Sequence, residues 1–288
     1  MTTEERESIR MMPSWVTAAS CQSIEEAAFF SGAALSCLHH ILTDDRVPTA
    51  LLRDRLALKA AEAAMVVSGR PERSEDLRDA VYLMKPGDLP GPAGEAFLIW
   101  RRAAERRISL ASLRRVFPSH DPVQLAEWLD AGQGGPVSKS ACVLEMILDV
   151  HPKDDVTALV FADAVLARAL GWDSLIPILA HSLKRADLRK RGGDLKLACH
   201  RAVVSECMDA VRMAHDLARR AAHLKSVAPK LRAKRAAQAV EMFLTRDAVT
   251  PGALPLPDRS ARRLCDRLVQ LGAIRELTGR DVFRIYGL

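Results

Sequence analysis

The stretch DRSARRLCDRLVQLGAIRELTGRDVFRIYGL, residues 258–288, decides the fold of the C-terminal part of the chain. Its first half has apolar residues at i, i+3, i+4, i+7 and i+10, a spacing typical of one buried helix face. These residues are Ala261, Leu264, Cys265, Leu268 and Leu271. Asp258 is a suitable N-cap and Gly272 is a suitable helix stop. The pattern therefore predicts an amphipathic helix over 258–271.

Two strand-like segments follow this helix. Residues 273–277 and 282–286 alternate in polarity, and they flank a turn at 278–281 in which Gly279 can adopt a positive φ. Upstream, a helix is expected over 230–245, and a Pro-rich connection at 249–257 joins it to the amphipathic helix. Helix, turn, helix and hairpin in this order predict a winged helix.

The exposed side of the predicted amphipathic helix is rich in arginine. A helix about 10–12 Å in diameter fits the major groove of B-form DNA, where arginines reach base edges or phosphates. Basic residues of the hairpin would lie beside the minor groove, and those of the upstream helix would contact the backbone. The candidate DNA-binding residues are Arg259, Ser260, Arg262, Arg263, Arg267, Arg280, Arg284, Lys230, Arg232, Lys234 and Arg235. Three acids close to this surface, Asp258, Asp266 and Asp281, would repel phosphates.

Charge is unevenly distributed along the chain. Residues 1–181 contain 19 Lys and Arg against 25 Asp and Glu, whereas residues 182–288 contain 23 against 11. A basic third joined to an acidic two-thirds is expected when one part of a protein meets a polyanion. A solvated helical surface rich in arginine would give the same charge counts. The charge distribution therefore indicates a polyanion partner only together with a structural motif.

The N-terminal 220 or so residues are expected to be all-α, which makes the fold mainly α: a multi-helix bundle followed by a winged helix with a small β-hairpin. Ser23 and Glu26 form a capping-box pattern before an apolar run. Helices are expected at 27–42, 51–67, 74–84, 95–107, 109–116, 122–131, 139–150, 154–170, 174–185 and 194–225, and from Pro229 to about residue 246.

Two Gly- and Pro-rich stretches interrupt the helical pattern. The segment 85–94, KPGDLPGPAG, is expected to be irregular, and GQGGP at 132–136 predicts a break between helical bundles. The predicted regions are therefore an N-terminal helical region at 1–132, a second helical region with a long basic helix at 133–225, and the winged helix at 226–288.

The C-terminal segment LVQLGAIRELTGR at 268–280, closed by FRIY at 283–286, resembles the winged helix of bacterial Fic-type proteins and of MarR-like regulators. The catalytic loop of Fic proteins, with its His-Pro-Phe and Gly-Asn-Gly-Arg elements, is absent. His151 and Pro152 are followed by Lys153, so no Fic activity is implied. Nearly the whole chain also resembles a bacterial, often plasmid-borne family, which is known only as a domain of unknown function. The segments that carry this resemblance are 25–35, 85–94 and 228–234, and it implies a domain layout but no activity.

No catalytic or cofactor motif is found in the sequence: Walker, GxGxxG, HExxH and GxSxG patterns are all absent. His39 and His40 are adjacent, so they point about 100° apart on a helix and cannot readily hold one ion. Cys199, Cys207 and His215 are separated by two turns each, about 12 Å, which is too far for one metal. We therefore expect no enzyme, no cofactor and no metal.

Composition favours a cytoplasmic protein. Six cysteines form no CxxC pair, the longest uncharged run is 17 residues with several polar side chains, and no signal peptide is visible. We therefore expect no membrane contact.

The expected function is sequence-selective binding of double-stranded DNA, as a transcriptional regulator or a plasmid-maintenance factor. We expect a homodimer, because winged helices often recognise paired half-sites. A different class of function is an adaptor whose winged helix binds a protein partner. An enzyme is a third alternative, and it would require a concave pocket with clustered titratable groups in the helical part.

Overall fold

The computed structural model describes residues 11–17, 21–70, 72–85, 87–231, 235–280 and 282–288. The fold is mainly helical, as predicted, with a small antiparallel sheet near residue 288. The α-helices are α1 (Ser14–Thr17), α2 (Ile24–Leu42), α3 (Thr49–Val67), α4 (Ser74–Tyr82), α5 (Gly91–Glu105), α6 (Leu110–Val116), α7 (Pro122–Asp130), α8 (Pro136–Val150), α9 (Asp155–Ala169), α10 (Leu179–Ser182), α11 (Gly192–Val227), α12 (Ala236–Thr245) and α13 (Asp258–Gln270). The strands are β1 (Arg275–Glu276) and β2 (Tyr286–Gly287).

The capping signal placed the start of α2 correctly. The capping box of α2 is present, because the Glu26 amide donates to Ser23 Oγ over 3.2 Å and the Ser23 amide donates to Glu26 Oε2 over 3.2 Å. The long basic helix is confirmed as α11, whose 36 residues span about 54 Å.

Three predictions about the helical part are wrong in their bounds. Helix α5 already begins at Gly91 and α8 at Pro136, because a proline in the first turn lacks an amide that would have had no partner there. The helix expected at 174–185 is reduced to α10. Ser174 instead forms an isolated bridge with Arg107, and buried Asp163 accepts the amides of Ile178 and Leu179.

The C-terminal part also differs from the prediction. Pro229 lies in a short 3-10 turn, Ala228–Lys230, and α12 begins later than expected, at Ala236. The strands are two residues long, so the sheet is shorter than the hairpin that was expected; the Leu277 amide donates to the Ile285 carbonyl oxygen over 2.8 Å just beyond them. Gly279 has φ +62° within the loop between the strands, so the positive φ is confirmed.

Packing is centred on α11. This helix contacts α2, α3, α8 and α10, while α3 packs on α5 and α8 packs on α9. Buried apolar side chains from Val16 to Leu288 form one hydrophobic cluster, so the C-terminal segments share a core with the helices that precede them. Within the described ranges, no helix combines the length and apolar character needed to cross a lipid bilayer.

Candidate functional site

Helix α13 has one apolar face and one cationic face. Ala261, Leu264, Cys265 and Leu268 are buried as predicted, and burial raises the pKa of the Cys265 thiol to about 12. The opposite side exposes four arginines, which we call the arginine face: Arg259, Arg262, Arg263 and Arg267. Burial of one side of the helix therefore forces the arginines into solvent.

The arginine face is largely free of internal ion pairs. Arg262 Nη2 lies 3.1 Å from Asp258 Oδ2, one helical turn earlier, and both side chains are well exposed. Among the described residues, Arg259, Arg263 and Arg267 form no ion pair. Ser260 is exposed in the first turn of the same helix. These side chains are available to a phosphate or another anion.

The two arginines expected to serve the wing are engaged within the protein. Arg280 Nη2 lies 2.5 Å from Asp79 Oδ2 of α4, and Arg284 Nε donates to the Arg280 carbonyl oxygen over 3.0 Å. Arg280 still exposes about half of its side chain (53%). The loop between β1 and β2 therefore contacts α4 through Arg280 and also lies near the arginine face.

Lys230 and Arg235 lie outside the helix in which they were expected. Lys230 ends the 3-10 turn, and Arg235 precedes α12 with φ 80°; both are exposed. Arg232 and Lys234 lie outside the described residues. Among the acids, Asp258 and Asp266 are exposed on α13, and Asp281 lies outside the described residues.

A cavity of about 760 Å³ lies beside α13. Asp258, Arg262 and Asp266 line one side, and Val282 and Phe283 of the loop line another. Val282 and Phe283 are adjacent in the sequence and expose 65% and 66% of their surface, so they add an exposed apolar edge to the cavity. The cavity wall is therefore of mixed charge on α13, with two carboxylates beside Arg262, and apolar on the loop.

A buried ionic cluster fastens the connection between α12 and α13 to the N-terminal helices. Asp247 in this connection is fully buried and pairs with Arg55 and Arg78; its Oδ2 lies 2.6 Å from Arg78 Nε. Asp54 Oδ2 accepts the Asp247 amide over 2.8 Å, and Asp54 Oδ1 lies 3.1 Å from Arg101 Nε. Burial raises the pKa of the Asp54 carboxyl, although Arg101 opposes this effect.

We call Asp54, Arg55, Arg78, Arg101 and Asp247 the anchor cluster. Sequence reasoning missed it, although one signal was present: Asp54 lies among leucines and alanines on the buried side of α3. A carboxylate at such a position requires ionic partners. Val249 and Tyr286 add backbone hydrogen bonds of 2.8 and 2.9 Å close to the cluster.

The helical part contains a second cavity, of about 630 Å³, between α2, α8 and α11. Ser31 Oγ lies 2.7 Å from His200 Nδ1 at its wall, and Trp172 Nε1 donates to His39 Nδ1 over 3.0 Å. Burial lowers the pKa of His200. A pocket with titratable groups is what the enzyme alternative requires, so that alternative remains.

The histidines and cysteines considered as metal ligands are divided between the surface and the core. His39 and His40 are exposed and Cys37 is half-buried, while Cys199 and Cys207 are buried in the core. Burial raises the pKa of the Cys199 thiol to about 12.

Comparison with known proteins identifies the family of the chain. The family model described as "Protein of unknown function (DUF1403)" matches residues 1–288. A search of curated proteins found no match. The expected resemblance to a family of unknown function is confirmed, while the plasmid association and the winged-helix likeness stay predictions. Because the match spans all 288 residues of the sequence, the chain belongs to the DUF1403 family.

Proposed function

We propose that this protein binds double-stranded DNA through α13, as a sequence-selective transcriptional regulator or plasmid-maintenance factor. One observation carries the proposal: four exposed arginines occupy one side of a helix whose other side is buried. A cylinder of this width enters the major groove, and guanidinium groups bind both phosphates and the acceptor edge of guanine. The basic balance of residues 182–288 supports the same partner.

The test is fluorescence anisotropy of the full-length protein with labelled duplexes, of random sequence and from a genomic library, over a series of salt concentrations. Counterion release makes the logarithm of the affinity fall with the logarithm of the salt concentration, by about 0.9 per phosphate contacted. We expect a steep dependence and enrichment of particular sequences. Salt-insensitive or absent binding would refute the proposal.

The double variant Arg262→Ala/Arg263→Ala tests the surface. We expect it to lose about 1–3 kcal/mol of binding free energy per arginine and to show a shallower salt dependence. Arg114 and Arg115 provide a matched control, because they are also adjacent, exposed arginines on a helix, α6. If the α13 variant binds DNA as the parent does, or if the α6 variant loses as much affinity, then α13 is not the reading helix.

The exposed apolar loop favours a second candidate function, the adaptor. Val282 and Phe283 present a small hydrophobic surface beside the cavity at α13, as protein-binding sites do. An adaptor would show little affinity for DNA and would co-purify with a partner that Phe283→Ser releases. The two functions therefore differ in salt dependence and in the variant that abolishes binding.

A further inference from the structure

Three potential metal ligands meet where the short helix α10 packs on α11. His181 comes from α10, and Glu206 and Asp209 come from α11. Glu206 and Asp209 are three residues apart, so their side chains share one side of the helix. One ligand atom from each of the three residues lies within 4.8 Å of the others, with His181 Nε2 3.9 Å from Glu206 Oε2. A small ion could bridge atoms at these separations.

A second observation concerns the burial of the Glu206 carboxylate. Its side chain is fully buried, and its Oε1 has no hydrogen-bond partner among the described residues. Lys59 Nζ forms an ion pair with this oxygen at 3.7 Å, a distance too long for a hydrogen bond. The other oxygen, Oε2, accepts from Ser182 Oγ over 3.4 Å. A buried carboxylate with an unsatisfied oxygen is energetically costly unless a cation binds to it.

We propose that His181, Glu206 and Asp209 bind a divalent first-row transition-metal ion. One imidazole nitrogen with two carboxylates suits Zn²⁺ or Mn²⁺ better than Ca²⁺ or Mg²⁺, which prefer oxygen ligands throughout. The His181 side chain is 35% exposed, so an ion enters from solvent on that side. Three protein ligands leave further coordination positions for water or a small molecule.

Lys59 is the counter-ion of Glu206 when no metal is bound. Its side chain is partly exposed (24%), so the ammonium can move outward when an ion takes its place beside Glu206. The ion then joins α10 to α11 and thereby holds the segment 171–191 against the central helix. The proposal does not depend on DNA binding, since the three ligands lie on helices other than α12 and α13.

The test is titration of the chelator-treated, full-length protein with Mn²⁺, followed by electron paramagnetic resonance, with Zn²⁺ as competitor. We expect one Mn²⁺ per chain, displaced by Zn²⁺. His181→Ala and Asp209→Asn should each weaken binding at least about tenfold, since even second-shell changes typically cost that much. His40→Ala, an exposed histidine on α2, is the matched control and should bind as the parent does.

We expect Lys59→Gln to change the Mn²⁺ affinity in the opposite direction from His181→Ala and Asp209→Asn. Removing the competing ammonium should tighten Mn²⁺ binding, whereas a simple buried ion pair would lose stability and gain no metal affinity. Circular dichroism establishes that each variant is folded, and the buried Glu206 is left intact for that reason. The proposal is overturned if the parent binds neither ion, if His181→Ala and Asp209→Asn bind like the parent, or if Lys59→Gln binds no more tightly.

Discussion

At the scale of single residues, Asp247 determines how the C-terminal segments are attached to the N-terminal helices. Its carboxylate is fully buried between Arg55 of α3 and Arg78 of α4. The two guanidinium groups compensate for the desolvation of this charge, and the Asp247 backbone amide separately donates a hydrogen bond to Asp54 Oδ2. Removal of Asp247 would leave two partly buried cations without their main partner.

Asp247→Ala should therefore lower the free energy of unfolding by about 3–5 kcal/mol, the usual cost of breaking a buried pair from one side. Urea unfolding followed by circular dichroism measures it. Asp130→Ala removes a well-exposed pair with Arg168 and should cost less than about 1 kcal/mol. Equal effects of the two variants would mean that the anchor cluster contributes no more than a surface ion pair.

Gly287 illustrates a constraint that no sequence pattern shows. A Cβ atom at this position would lie 2.6 Å from the Asp247 carbonyl oxygen, so the backbone approaches too closely for a side chain. Gly287→Ala should destabilise the protein and lower its melting temperature, because the obstacle is backbone and cannot rotate away. Gly252→Ala is the control, since no atom lies within 4 Å of the added carbon there. A melting temperature unchanged by Gly287→Ala would contradict the close approach.

At the scale of elements, α13 was predictable and α10 was not. The apolar spacing of α13 assigns a buried side and an exposed side without knowledge of the fold, so Arg259, Arg262, Arg263 and Arg267 were placed on the surface correctly. The segment 174–185 has enough apolar residues for a helix. Its first part is held extended because distant groups, Arg107 and Asp163, take its hydrogen bonds.

Leu268→Ala tests the attachment of α13. The side chain is fully buried, so truncation should cost about 2–5 kcal/mol and disorder this helix locally. The neighbouring Val269 is well exposed, and Val269→Ala should change stability by less than about 0.5 kcal/mol. Hydrogen exchange of the α13 amides in the two variants distinguishes local opening from global loss of stability.

At the scale of the whole molecule, the three predicted regions share one hydrophobic cluster. The boundaries at 132/133 and 225/226 stay predictions, but α11 contacts helices on both sides of the first one, α2 and α8. Its far end also touches the C-terminal part, because His223 Nε2 lies 2.9 Å from the Leu271 carbonyl oxygen. Contacts this extensive favour cooperative unfolding.

We therefore expect one unfolding transition. The four tryptophans all precede residue 173, so their fluorescence reports on the earlier regions, whereas circular dichroism also reports on α11, α12 and α13. The two signals should have the same midpoint in urea. A separate dichroism transition without a fluorescence change would show that the C-terminal part unfolds independently.

Helix content, the amphipathic face of α13, the α2 capping box and the positive φ of Gly279 follow from short-range rules, because capping, periodicity and turn chemistry depend on neighbours within a few residues. The anchor cluster and the meeting of His181 with Glu206 and Asp209 depend on residues that are 25 to 193 positions apart. No local pattern encodes such pairs. They form because burial of the helices brings charged side chains together, and a buried charge is stable only where the rest of the fold supplies a partner.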